Sequence, residues 1–340
     1  FMRTRALFVL AWDYETEINL EPHREEVDGE TYEYQNYSLF YWLDYAKELG
    51  EESPLLLVQT KKLLHGIHKI PQIPERQEII NSGNYPSIQA YDIHTEAQEN
   101  DWRENGYADL LLYLNKTTGQ MDEMQEELPK SWVAVRAQIR QLQNKEVKFL
   151  SPEAFHEICQ EAKIDPEGID ELIYFLHNSG VFFHRPGKLL DKIILDQQWV
   201  IDAVYTVLGR ESSLYYKILK NKGLFRPSDL KKVWQGHEEE DQSLFLEFME
   251  SCKICFKNKE AEENESLEYI APALLPLEKP TAIEELQDNC CYFIKIQQEF
   301  LHYGIMQSLL CDLGTETHYS KRELWRNGAY LKKDKQEKLF

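Results

Sequence analysis

Ser53-Pro54-Leu55-Leu56-Leu57-Val58-Gln59-Thr60-Lys61 places four consecutive aliphatic residues between a proline and a polar ending. A strand with one wet face alternates apolar and polar residues. An unbroken aliphatic run fits a strand buried on both faces, as in a parallel sheet flanked by helices. Upstream, Ala6-Leu7-Phe8-Val9-Leu10-Ala11-Trp12 is a second such run, ending in Asp13. Between the two, Leu39, Leu43 and Ala46 recur at helical spacing, with Tyr41, Trp42 and Tyr45 filling in, and Gly50 closes the stripe. The acidic, tyrosine-rich stretch after Asp13 reads as a loop. The whole is a β-α-β unit, with a further strand expected over 87–91 and a helix over 102–113 that places Tyr107, Leu110, Leu111 and Leu114 on one side.

In an open α/β sheet the ligand lies at the carboxyl ends of the strands. Here those ends are Trp12-Asp13, Gln59-Thr60-Lys61 and the loop after Tyr91. The sequence contains neither GxxxxGK[ST] nor GxGxxG, so no glycine-rich phosphate loop is present. Two or three strands are too few for a stable doubly wound domain, and the expectation is that the chain is an internal piece of a longer protein.

The 340 residues carry a formal net charge of −21 and are 42% hydrophobic and 12% aromatic, which describes a folded chain rather than a disordered one. Almost all of the net charge sits in three segments, 15–33, 96–127 and 238–268. Phosphate backbones and anionic lipids are repelled by such surfaces, so nucleic acid and membrane are not expected as main partners. No apolar run approaches the roughly 20 residues a membrane span needs, and the expected location is cytoplasmic. The six cysteines, at 159, 252, 255, 290, 291 and 311, have no disulfide-scaffold spacing. Cys252 and Cys255 have the spacing of half a zinc site, but no second pair follows, and adjacent Cys290 and Cys291 would face opposite sides of a strand. Buried or surface thiols are expected. His65 and His68 lack a third ligand at metal spacing, and no GxSxG or HExxH occurs.

Farther along, Trp132, Val135, Ile139 and Leu142 follow Pro129 at helical spacing. Ser151-Pro152 and Asp165-Pro166 each pair a cap with a first-turn proline, launching helices with stripes at Phe155, Ile158, Cys159 and at Ile169, Leu172, Leu176. Strands over 181–184 and 192–195 flank Arg185-Pro186-Gly187-Lys188. Helix, strand, helix, helix and hairpin form a winged-helix pattern. The helix in the recognition position carries Glu167, Asp170 and Glu171 and no Lys or Arg, which argues for protein docking over DNA reading.

Several strings together resemble one family. The run 1–13, then Tyr41-Trp42-Leu43-Asp44-Tyr45, then 53–61, resembles the second half of the Ras-like (Roc) domain of Roco proteins, from after switch II through the guanine-recognition loop. Asp196-Gln197-Gln198-Trp199-Val200-Ile201-Asp202-Ala203-Val204-Tyr205, Gly223-Leu224-Phe225, Leu230, Trp234, 245–255 and Tyr269-Ile270-Ala271-Pro272-Ala273-Leu274-Leu275-Pro276 resemble the COR domain that follows it. Tyr292-Phe293-Ile294-Lys295-Ile296 and 325–331 look like strands of a second COR subdomain. Trp199 and Trp234 are expected in the core.

The fold the resemblance implies is α/β, part of a Ras-like P-loop NTPase fold, followed by an α+β COR domain with a winged-helix-like first subdomain. The implied domains are 1–118 (latter part of Roc, without its phosphate-binding half), 119–280 (first COR subdomain) and 281–340 (second COR subdomain, incomplete). The family's guanine loop is [NT]KxD. Thr60 and Lys61 match it, and Leu63 stands where the aspartate accepts hydrogen bonds from guanine. The implied cofactors are GTP or GDP with Mg2+, the implied activity is GTP hydrolysis by residues N-terminal to this chain, and leucine-rich repeats are expected on that side. The implied partners are a second copy through COR and the Ras-like domain against COR. Two readings stay open: a GTP-binding protein that couples nucleotide state to dimerisation, and a catalytically silent scaffold, binding no nucleotide, whose guanine recognition has degenerated at Leu63.

Overall fold

The structure is a computed structural model. It describes residues 6–27, 29–50, 53–61, 87–88, 107–121, 127–258, 267–281, 302–315, 321–333 and 336–339. The chain divides into two compact units, Phe1–Pro129 and Lys130–Phe340.

In the first unit, β1 (Phe8–Trp12) runs parallel to β4 (Leu55–Gln59), with Phe8 opposite Leu55 and Trp12 opposite Gln59. Strand β5 (Ser87–Ile88) pairs in parallel on the other side of β4, giving the order β1-β4-β5. All five β4 residues are buried, as the aliphatic run predicts. Successive side chains of a strand point to opposite faces. Leu55 and Leu57 accordingly pack with Leu39, Phe40 and Leu43 of helix α2 (Leu39–Gly50), while Leu56 and Val58 pack with Leu110 of helix α3 (Tyr107–Gly119).

Three expectations change here. The first run is not buried on both faces: Val9 is 48% exposed and Ala11 is exposed, because among the described residues β1 ends the sheet order and α3 covers Leu56 and Val58 but not their β1 neighbours. Leu111 is 41% exposed and does not share the buried side of α3 with Leu110. The supposed loop after Asp13 holds a short helix α1 (Tyr14–Ile18) and an antiparallel hairpin of β2 (His23–Val27) and β3 (Glu30–Tyr34). Gly29 at its turn has φ of +77°, a conformation that costs glycine little. The Asp28-Gly29 pair was the missed hairpin signal.

In the second unit, α4 (Lys130–Asn144), β6 (Phe149–Leu150), α5 (Pro152–Glu161) and α6 (Ile169–Asn178) surround one core of Val135, Ile139, Phe155, Leu172, Leu176 and Phe182. Ser151 caps α5 by accepting from the Ala154 N–H, with Pro152 in the first turn. The expected strands 181–184 and 192–195 meet through a single bridge, Phe183 to Ile194. Most of the pairing of β7 (Ile193–Ile194) is with β6.

A second core gathers α7 (Gln197–Leu208), α8 (Ser213–Lys220), α9 (Pro227–Val233) and α10 (Glu239–Ser251) around Val200, Ala203, Leu214, Leu230, Trp234 and Phe245. Trp234 is 1% exposed, and its indole N–H donates to the Ala203 carbonyl at 2.9 Å; Trp199 packs partly buried against the same cluster. A small antiparallel sheet of β8 (Leu224–Phe225), β9 (Phe256–Lys257) and β10 (Tyr269–Ile270), in the order β8-β10-β9, closes this layer.

Beyond it lie helix α11 (Tyr303–Thr315) and strands β11 (Lys321–Trp325), β12 (Gly328–Lys333) and β13 (Gln336–Leu339). The segment expected as strand over 325–331 is strand except at 326–327, where a turn joins the end of β11 to the start of β12. Trp325 pairs with Gly328, and the turn is pinned where the Arg326 N–H donates to the Pro276 carbonyl at 2.8 Å. The expected strand at 292–296 and the Cys290-Cys291 pair lie outside the described residues, as do His65 and His68.

Candidate functional site

The in-register pairing of β1 with β4 brings their carboxyl ends side by side. Asp13 leaves one strand and Thr60-Lys61 the other. The Thr60 N–H donates to the Trp12 carbonyl at 2.8 Å, and its hydroxyl donates to the same oxygen at 3.1 Å. Thr60 is 7% exposed, so its side chain holds the strand ends together from inside. Lys61 then turns into the left-handed region with φ of +56°. Its ammonium meets Asp13 Oδ2 at 2.9 Å, and the Thr16 hydroxyl donates to that same oxygen at 3.1 Å.

The Asp13 side chain is 10% exposed and that of Lys61 32%, so the pair is partly withdrawn from water. An ammonium carries three N–H donors, and the apolar stem of lysine can lie along a flat surface. The site therefore offers donors and a stem at the carboxyl edge of a parallel sheet, where such folds hold ligands. Both sequence-predicted residues, Thr60 and Lys61, stand there together. Leu63 and the loop after Tyr91 lie outside the described residues. Sequence reasoning put Asp13 at the ligand-bearing strand ends but missed its pairing with Lys61, which the register of β1 against β4 creates.

The thiols have a different character. Burial pushes Cys159 up to about 11 and Cys311 up to about 12, and raises Cys255, 1% exposed, well above the usual thiol range. Such groups are protonated and poor metal ligands or nucleophiles. Among the described residues no cluster of three or more His, Cys, Asp or Glu could hold a metal ion, and no helix is long and apolar enough to cross a membrane.

Residues 129–275 match the family model "C-terminal of Roc, COR-A domain". A Roc-COR-CHAT protease of Runella zeae is 23% identical over 299 residues, which cover 86% of this chain and 29% of that protein. A probable serine/threonine-protein kinase qkgA of Dictyostelium discoideum is 25% identical over 202 residues, 54% of this chain and 12% of that protein. The chain thus spans less than a third of the curated relatives it matches. The Methanosarcina barkeri Roco2 RocCORdC structure bound to GDP shares the fold, with 16% identity and a TM-score of 0.50, over 81% of this chain and 96% of that one. The matched domain defines a COR-A-bearing protein with an α/β unit ahead of it. Over most of its length the chain is similar to Roc–COR proteins of the Roco family, and its residues 129–275 match their COR-A domain.

Proposed function

We propose that this chain is the Roc–COR portion of a Roco-type GTP-binding protein that couples nucleotide state to dimerisation, with Thr60 and Lys61 on the base or ribose side of the nucleotide site. In this reading 1–118 belongs to Roc, 119–280 to a first COR subdomain of winged-helix type and 281–340 to a second, through which two copies pair in the cytoplasm. The observation that carries it is Lys61, held at the carboxyl edge of the parallel sheet beside β1. The GDP bound by the Methanosarcina barkeri structure supports the same ligand class.

The fit to a nucleotide is one-sided. The described residues provide donors for a base or ribose edge, and the sequence holds no GxxxxGK[ST] to cradle phosphates and Mg2+. Hydrolysis is therefore not assigned to any residue of this chain.

A second reading is favoured by Leu63. A leucine cannot accept the hydrogen bonds by which an aspartate selects guanine, and a site built on such bonds loses much of its discrimination without them. In that case the chain is a dimerising scaffold. Calorimetric titration of the full-length protein with GDP, GTP and ATP separates the two: micromolar binding of guanine nucleotides in preference to ATP is expected, and no binding of either would leave the scaffold.

A further inference from the structure

Asp13 belongs to no recognition loop, yet it fixes the one cation at the sheet's carboxyl edge among the described residues of β1 and β4. A lysine side chain is long and rotamer-rich, and ordering it costs free energy on binding unless something has already ordered it. Here two features do so before any ligand arrives. The left-handed backbone at Lys61 sends the chain away from the line of β4, and Asp13 Oδ2 receives the ammonium at 2.9 Å. Asp13 is itself held by the Thr16 hydroxyl at 3.1 Å and is nearly buried, which limits its own motion and screening.

We infer that Asp13 is a positioning residue for nucleotide recognition, acting through Lys61: it holds the ammonium so that two of its three N–H groups face an incoming base or ribose acceptor. The inference rests on the guanine-nucleotide reading above. It adds an affinity element from the end of β1, outside the recognition loop. Because the Lys61 stem is ordered in advance, the loss of Asp13 falls on affinity rather than on folding.

The test is a double-mutant cycle on the full-length protein, with GDP affinity measured by calorimetry and fold checked by thermal midpoint. Asp13→Asn is expected to weaken GDP binding about five- to tenfold, the size of one disordered long side chain. Asp13→Glu, which keeps the charge, is expected to restore most of that loss. In a Lys61→Met background Asp13→Asn is expected to change nothing further, which a merely structural role would not produce.

Wild-type binding that Asp13→Asn leaves unchanged or tightens would overturn this inference and leave the guanine-nucleotide reading standing. Equal weakening with and without Lys61 would show that Asp13 acts through packing, and would overturn it too. Absence of GDP binding by the wild type would overturn the functional reading and this inference together.

Discussion

Asp196 shows how one residue type serves two purposes at a helix start. Its carboxylate accepts from the Trp199 N–H at 3.0 Å, capping α7, and meets the Lys148 ammonium at 2.7 Å. Burial raises its pKa, but Lys148 and the backbone donors outweigh that and hold it below the usual carboxylate range. Asp196→Ala is expected to lower stability at pH 7 by about 1–2 kcal/mol, the worth of a good cap, as measured by urea unfolding.

A rarer feature lies just upstream. Leu189, Leu190 and Asp191 all have positive φ, at 62°, 54° and 56°. Each left-handed residue other than glycine costs roughly 1–2 kcal/mol, so the surroundings must compensate. Leu189 is fully buried, the Leu190 N–H donates to the Glu247 carboxylate at 2.8 Å, and Lys192 lies over the Phe149 ring with its ammonium paired to Glu240. Leu190 itself is 44% exposed, so its side chain contributes little packing. Leu190→Gly is therefore expected to leave the thermal midpoint unchanged or raise stability by up to about 1 kcal/mol, the relieved strain exceeding the entropy glycine adds to the unfolded chain. Leu190→Val is expected to lower it.

At the scale of elements, α11 docks against β9 through a glycine. A Cβ at Gly314 would come within 2.1 Å of the Phe256 ring, and Phe256 is 3% exposed, so the ring has little room to yield. Gly314→Ala is expected to destabilise by about 1–3 kcal/mol through overpacking, read as a lower denaturant midpoint with an unchanged slope.

Element placement also shows what the sequence made legible. Strand β4 announced itself through four aliphatic residues, and α5 through Ser151-Pro152, because both signals are local: side-chain period in one case, capping chemistry in the other. The hairpin of β2 and β3 was less visible. Its alternation mixes glutamates with tyrosines rather than aliphatics, and its Arg24–Glu33 pair at 3.0 Å is a cross-strand contact that only the register creates. The 325–331 segment carried strand-forming residues on both sides of its turn, so composition alone could not separate one strand from two.

At the scale of the molecule, the second unit has a pH response with a worked sign. His184 is held below the ordinary histidine range, chiefly by burial and against the pull of Asp191 and Asp170. A depressed histidine prefers to be neutral when folded, so its contribution is present above the unfolded value of about 6.5 and is lost as pH falls through the folded value. Asp196 and Asp229 are held low as well, Lys217 at 2.5 Å outweighing the burial of Asp229. Their contributions persist down to the unfolded carboxylate value of about 3.9 and are lost below it. Thermal melts from pH 7.5 to 2.5 are expected to show two declines, one below pH 6.5 and one below pH 4. His184→Asn is expected to shrink the first, to which His177, also held low chiefly by burial, contributes as well, and to spare the second.

The sequence by itself determined the parallel α/β start, the capped helices of the COR-A region, the aromatic core positions and the acidic segments, because each depends on neighbours within a few residues. Only the tertiary structure decided that Asp13 meets Lys61, 48 positions away, and that three consecutive residues sit left-handed under Glu247. It also decided that one face of β1 stays uncovered by α3. Each of these follows from which strand ends and helices come to lie side by side, and local periodicity carries no record of that.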